Sequence, residues 1–145
     1  MSFLDSVRTC LRKYGDFSGR ARPSEYWFWY LAVSAAYVVV FVAFMIPALI
    51  TMDPVTEEPG VLGTIGMILW TILALGTVVP MISAAVRRLH DTGKSGWFFL
   101  LTFIPFAGGI IGIVLLAAGG EPGPNRFGPD PKGQQTAPAQ PAIAY

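Results

Sequence analysis

Three uncharged apolar runs set what this chain can become. They are residues 26–50, 61–86 and 97–118, of 25, 26 and 22 residues. No Asp, Glu, Lys, Arg or His interrupts any of them. A helix needs roughly 20 apolar residues to cross a hydrocarbon core about 30 Å thick. Lipid offers no hydrogen bonds to a bare backbone, so helix is the default for such a run. The runs therefore predict an all-α membrane protein, a small polytopic bundle of about three transmembrane helices at about 26–50, 61–86 and 97–118. With their connections they form one integral-membrane domain over residues 1–131. Tyr26, Trp27, Trp29 and Tyr30 open the first run, and Trp97, Phe98 and Phe99 open the third, in the pattern of an interfacial aromatic belt. The first run is far longer than the roughly 7–15 apolar residues of a cleaved signal, so it reads as an uncleaved span.

Composition excludes several alternatives. Hydrophobic residues make up 53% of the chain and charged residues 13%, against about 25% charged in soluble domains. Ten bases nearly balance nine acids, for a formal charge of +1. Nucleic-acid binders need a strongly basic field, so no nucleic-acid partner is expected. The single cysteine, Cys10, cannot form an internal disulfide and reads as a small residue on a helix.

The connecting segments orient the bundle. Residues 1–25 carry Arg8, Arg12, Lys13, Arg20 and Arg22, and 87–96 carries Arg87, Arg88 and Lys94. The loop 51–60 has no Lys or Arg and holds Asp53, Glu57 and Glu58. The positive-inside rule puts the N-terminal segment and 87–96 in the cytoplasm and the acidic loop outside. Three full crossings then carry the C-terminal segment outside. Pro105, Gly108 and Gly109 sit near the middle of the third run, where proline removes a backbone donor and clashes with the preceding turn. A re-entrant hairpin is the alternative there, and it would return the C-terminal segment to the cytoplasm.

Two flanking segments are distinct. "FLDSVRTCLRKY" puts Phe3, Leu4, Val7, Cys10, Leu11 and Tyr14 at helical spacing. That predicts a short amphipathic helix, either on the anionic inner leaflet or packed on the protein's own loops. The tail 132–145, rich in Pro, Ala and Gln, predicts disorder.

The segment "RRLHDTGKSG" at 87–96 concentrates polar chemistry. Its "GKS" is no phosphate loop, because Arg88 stands where that motif needs glycine and no strand precedes it. His90 beside Asp91 invites an acid–base reading, but no second histidine, metal-ligand spacing or nucleophile elbow supports it. Neither catalytic residues, nor a metal, nor a cofactor is expected. Asp91 or Thr92 suits a turn or a helix cap. Arg87 and Arg88 fit either topology anchors or a phosphate site, since arginine's planar fork matches phosphate oxygens. With "GRARPSE" at 19–25 they could converge on one headgroup, or on Glu25 and Asp91 in internal ion pairs. Gly108 and Gly112, and Ala32 and Ala36, are small-residue pairs that suit close helix packing and, weakly, a homo-oligomer.

Three stretches carry a resemblance: "YGDFSGRARPSEYWFW", "RRLHDTGKSGWFFLLTFIPFAGGIIGIVLL" and "GGEPGPNRFGPDP". They resemble the bacterial inner-membrane proteins grouped as the domain of unknown function 805 family, the YhaH-like proteins. The resemblance covers most of 14–131. It implies a small multi-pass protein of the bacterial plasma membrane, with no established catalytic activity, cofactor or substrate. The recurrent family residues it points to include Arg20, Arg22, Glu25, Tyr26, Trp27, Leu89, Gly96, Gly128 and Pro129 beside the polar residues of 87–91.

The expected role is binding or structural. The candidate lipid- or partner-binding residues are Arg20, Arg22, Glu25, Arg87, Arg88, His90, Asp91, Lys94, Trp97, Asn125 and Arg126. The partners are the bilayer, its anionic headgroups, a membrane-protein partner or a second copy of the chain. A transporter or channel component is the alternative, motivated by the broken third run. An interfacial enzyme using His90 and Asp91 is a third reading.

Overall fold

The computed structural model describes residues 1–52 and 60–133. Asp53, Glu57 and Glu58 of the acidic loop, and the tail from 134 onward, lie outside the described residues.

Helix α1 spans Phe3–Arg12. It starts at a capping box: the Ser2 hydroxyl accepts from the Asp5 N–H at 3.2 Å, and the Asp5 carboxylate accepts from the Ser2 N–H at 3.4 Å. Such a cap contributes about 1 kcal/mol. Ser6 and Cys10, four residues apart, are buried, and Ser6 Oγ lies 3.4 Å from the Ser24 carbonyl. Phe3, Leu4 and Leu11 point away from the protein. The expected apolar stripe is thus divided, with Cys10 inside and the larger side chains outside.

Helix α2, Pro23–Val40, begins with a proline at its first position, where no N–H is needed. It continues through a π-turn, Phe41–Met45, into α3, Ile46–Ile50. Pro47 has no N–H for the Ala43 carbonyl, so the register slips: the Ile46 N–H donates to the Phe41 carbonyl, five residues back. Helix α4 runs Val61–Asp91, 31 residues, or roughly 46 Å at about 1.5 Å each. Pro80 lies inside it and cannot donate to the Gly76 carbonyl. The Tyr14 hydroxyl takes that role, donating to Gly76 O at 3.0 Å.

Pro23–Ile50 and Val61–Asp91 are both long and apolar enough to cross a membrane. Their large side chains face outward: Val39 is 65% exposed, Ile72 62% and Leu75 70%. Water would penalise that surface, and lipid does not. Tyr37 meets Trp70 edge to face at 4.8 Å between them. The buried core lies at the other end of the helices, where Cys10, Trp29, Val33, Ala84, Ala85, Leu89 and Leu116 meet.

The third apolar run, 97–118, is built in two pieces and not as one continuous helix. A 3₁₀-helix, Gly96–Phe103, turns through 104–107 into α5, Gly108–Ala117. The pieces measure roughly 16 Å and 15 Å at about 2.0 and 1.5 Å per residue, half a hydrocarbon core each. Phe106 forms the tip with φ 64° and a fully exposed ring. Pro105 breaks the helix, and Gly108 permits the return: a Cβ there would collide with the Thr102 carbonyl. A Cβ on Gly112 would also press on Thr102, at 3.2 Å from its methyl group. The Gly108–Gly112 pair therefore serves packing within this hairpin.

Candidate functional site

The last turn of α4 positions the site. Ser83, Ala84 and Ala85 are buried and small, which lets neighbouring segments approach the helix closely. Arg87, Arg88 and Asp91 follow, all buried. Adjacent helix residues diverge by about 100°, so the two arginines meet different partners.

Arg87 turns toward α2, where its Nη1 donates to Glu25 Oε1. Glu25 lies in the first turn of α2, where the helix dipole favours a carboxylate. The Arg87 carbonyl accepts from the Ala21 N–H at 3.0 Å, fixing the N-terminal segment to the same turn. Arg87 Nε and Nη2 are buried without a hydrogen-bond partner among the described residues. Cys10 lies beside this pair, and burial, then the Glu25 charge, pushes its thiol up to about 11.

Arg88 turns toward the end of α5. Its Nε donates to the Leu116 carbonyl at 3.0 Å and its Nη2 to the Ala118 carbonyl. These are carbonyls that a helix C-terminus leaves unpaired, and a cation there also suits the dipole. Arg88 Nη1 donates to Asp91 Oδ2. The other Asp91 oxygen accepts from Arg20 Nε at 3.0 Å. Arg20 then reaches the C-terminal segment, with Nη1 on the Gly123 carbonyl and Nη2 on the Glu121 carbonyl, both at 2.5 Å. Arg22 donates through Nε and Nη2 to the Pro131 carbonyl, at 2.7 Å from Nε. Residues 119–131 are thereby strapped across the end of α4.

Three buried guanidiniums thus meet two buried carboxylates. The unmatched positive charge rests on backbone carbonyl dipoles of the strap and of α5. An arrangement of this kind holds segments together, because removing one partner leaves another charge buried and unpaired.

The remaining candidates sit on the outer side of this cluster. Gly93 ends α4 with φ 71°, and the Lys94 N–H donates to the Leu89 carbonyl at 3.0 Å, a glycine helix stop. Ser95 then caps the 3₁₀-helix. That accounts for the "TGKS" residues as chain reversal. His90 does not pair with Asp91. Its Nδ1 lies 3.2 Å from the Gly19 carbonyl, and its ring stacks on Phe127 at 3.9 Å and 3°. Asn125 Nδ2 donates to the His90 carbonyl at 2.9 Å. Arg126 donates to the Gly93 carbonyl at 3.2 Å and lies over the Phe127 ring at 4.7 Å. Lys94 is half-buried, and Trp97 is 78% exposed. Asp130 accepts from the Gly123 and Lys132 N–H groups, and the Lys132 bond leads the causes that hold its carboxyl below the usual range.

The structure therefore divides the eleven candidates. Arg20, Glu25, Arg87, Arg88 and Asp91 form the buried cluster, and Arg22 and Asn125 secure the strap. His90, Lys94, Trp97 and Arg126 stay at the surface. Phe127 and Glu121 carry no sequence signal of their own. The glycine- and proline-dense "GGEPGPNRFGPDP" signals a folded turn there, but not its partners.

Residues 14–129 match a family described as "Protein of unknown function (DUF805)". "Inner membrane protein YhaH" of Escherichia coli strain K12 is 40% identical over 129 residues, covering 89% of this chain and 98% of that protein. "Inner membrane protein YhaI" of the same strain is 37% identical over 122 residues, covering 84% and 91%. No solved structure matches. With two outward-facing apolar helices, a strapped polar end, a family match over most of its length and relatives from the bacterial inner membrane, the chain belongs to the DUF805 family of membrane proteins.

Proposed function

We propose that this chain is a structural, lipid-binding protein of the bacterial inner membrane. In this reading it crosses the bilayer twice, dips a re-entrant hairpin into it at 97–118, and gathers residues 1–22, 92–96 and 119–133 on the cytoplasmic side. One observation carries the reading: both ends of the hairpin are tied to the last turn of α4. Gly96 lies against Val86, and Leu116 and Ala118 accept from Arg88. The Glu121 N–H donates to the Asp91 carbonyl at 2.8 Å, which extends the tie into the strap.

Charge supports this topology. All ten lysines and arginines of the chain then fall on one face, Arg126 and Lys132 included. Three full crossings would translocate those two, against the positive-inside tendency.

Arg20, Arg87 and Arg88 donate to the protein's own groups, so headgroup contact falls to cations outside the cluster. Those include Lys94 and Arg126, with Arg8 and Arg12 on the exposed side of α1. Each Lys or Arg near an anionic leaflet contributes about 1 kcal/mol of attraction. Trp97 marks the same interface. The transport alternative gains no support from the two grooves that hold Met67 and Thr71, and Tyr37 and Thr77: among the described residues their linings include no Asp, Glu, Lys, Arg or His.

The test is native mass spectrometry of the full chain after extraction from a phosphatidylethanolamine–phosphatidylglycerol mixture. Wild type is expected to retain phosphatidylglycerol selectively, and Lys94→Gln with Arg126→Gln to lose that selectivity while staying folded. Equal retention of both lipids by both proteins would overturn the lipid reading. A retained protein mass in place of lipid would transfer the site to a membrane-protein partner.

A further inference from the structure

A groove of about 380 Å³ runs between the end of α4 and the 3₁₀-helix. Its walls include Ile82 and Val86 of α4 and Phe99 and Leu100 of the 3₁₀-helix, and Phe17 of the N-terminal segment also lines it. Its polar members are His90 and Ser95, and Trp97 forms its exposed lip. We propose that this groove is a specific site for one anionic phospholipid, with an acyl chain between α4 and the 3₁₀-helix and the phosphate at the His90–Ser95 rim.

The order of side chains along α4 is the main support. Ile82, Val86 and His90 are spaced four apart, so they form one stripe down a single face of the helix. The stripe covers roughly 12 Å at about 1.5 Å per residue. It runs from apolar, at the depth of the span, to a hydrogen-bonding imidazole at the polar end. A phospholipid presents the same sequence of chemistry over the same distance. The groove faces outward beside side chains that already face lipid, since Leu100 is 55% exposed. A lipid chain reaches it without leaving the bilayer.

The rim supplies the charge. Lys94 adjoins Ser95 and takes part in none of the three ion pairs found among the described residues. Arg126 is held at Gly93, one residue before Lys94, and lies over the Phe127 ring that stacks on His90. Arg126 therefore stands beside the His90 end of the groove, and Lys94 lies one residue from Ser95 in the chain, while the buried arginines are occupied by the protein's own groups. The Ser95 hydroxyl and the Lys94 ammonium are donors of the kind that suits a phosphate monoanion, whereas the His90 Nδ1–H is already directed at the Gly19 carbonyl.

The proposal rests on the reading that residues 87–96 lie at the cytoplasmic headgroup level, and the experiment separates the two. The full chain is extracted from the same lipid mixture. Retained phosphatidylglycerol is counted for wild type, Lys94→Gln, the Lys94→Gln/Arg126→Gln variant, and two groove-filling variants, Ile82→Trp and Leu100→Trp. Leu100 lies on the exposed lip, so its variant keeps the test valid if Ile82→Trp fails to fold. Wild type is expected to hold one phosphatidylglycerol per chain that survives collisional activation. Each groove-filling variant is expected to lose it, and Lys94→Gln alone to weaken it about fivefold. If the charge variant loses the lipid but Leu100→Trp keeps it, the groove is overturned and the headgroup reading stands. If wild type holds no phosphatidylglycerol, both fall.

Discussion

The hydroxyl of Tyr14 donates to the carbonyl of Gly76 at 3.0 Å. That carbonyl is the one that Pro80, four residues on, leaves without a helical donor. A residue of the N-terminal segment thus repairs a break inside a membrane helix.

Tyr14→Phe is expected to lower stability by about 1–3 kcal/mol, the cost of a polar group left unsatisfied. Pro80→Ala restores an N–H in the helix. In its presence Tyr14→Phe is expected to cost much less, a coupling that thermal unfolding of the four proteins in detergent would measure. Equal costs in both backgrounds would mean that the pairing is incidental.

Arg88 is expected to be the most sensitive arginine. Arg88→Ala leaves Asp91 with one partner and strips the Leu116 and Ala118 carbonyls. Losing one partner of a buried pair costs about 3–5 kcal/mol. Limited proteolysis is expected to cut within 119–131 in this variant and to spare wild type. Arg88→Lys is expected to rescue little, because one ammonium cannot serve three acceptors in fork geometry.

Two adjacent glycines are expected to respond oppositely. A Cβ on Gly108 would collide with the Thr102 backbone, whereas one on Gly109 meets nothing within 4 Å. Gly108→Ala is expected to destabilise by about 1–3 kcal/mol. Gly109→Ala is expected to be neutral or to stabilise by up to about 1 kcal/mol through helix propensity. Similar unfolding temperatures for both variants would contradict the tight return at Phe106.

Cys10 is expected to resist alkylation. Its thiol is buried and pushed from 9.0 up to about 11. The raised value means that the folded protein favours the neutral thiol. That contribution to stability is present below about pH 9 and is lost as pH rises toward 11. Maleimide labelling at about pH 8, below both values, is expected to be slow in folded protein and fast after denaturation. Rapid labelling of folded protein would place Cys10 outside the core.

The first two runs were legible because a span is a local property of length and hydropathy. The start of α1 was legible from its apolar spacing. The third run was not, because hydropathy measures transfer into lipid and says nothing of where a segment returns. Pro105 and Gly108 flagged a break, but the return is fixed by Arg88 on Leu116 and Ala118, about thirty residues away. The basic segments did converge, yet their charges are divided by depth. Arg87 and Arg88 read as exposed phosphate ligands or internal partners with equal ease, and only packing against Glu25 and Asp91 decides. His90 and Asp91 are adjacent in sequence, but their side chains leave the helix in different directions, one to Gly19 and Phe127 and the other to Arg20 and Arg88. Phe127 lay unnoticed in a turn, since no local pattern announces a ring that stacks on residue 90.

Whether the arginine cluster returns the hairpin and the strap to the cytoplasmic face is tested most directly by the sidedness of Lys132, which is exposed. A Lys132→Cys variant in a Cys10→Ala background is treated with a membrane-impermeant maleimide on intact spheroplasts and on inverted vesicles. Met52→Cys in the same background serves as the opposite-side control. The Lys132→Cys protein is expected to label only in inverted vesicles, and the Met52→Cys protein only in spheroplasts. Labelling of Lys132→Cys in intact spheroplasts would mean that 97–118 crosses the membrane, and would contradict the re-entrant topology.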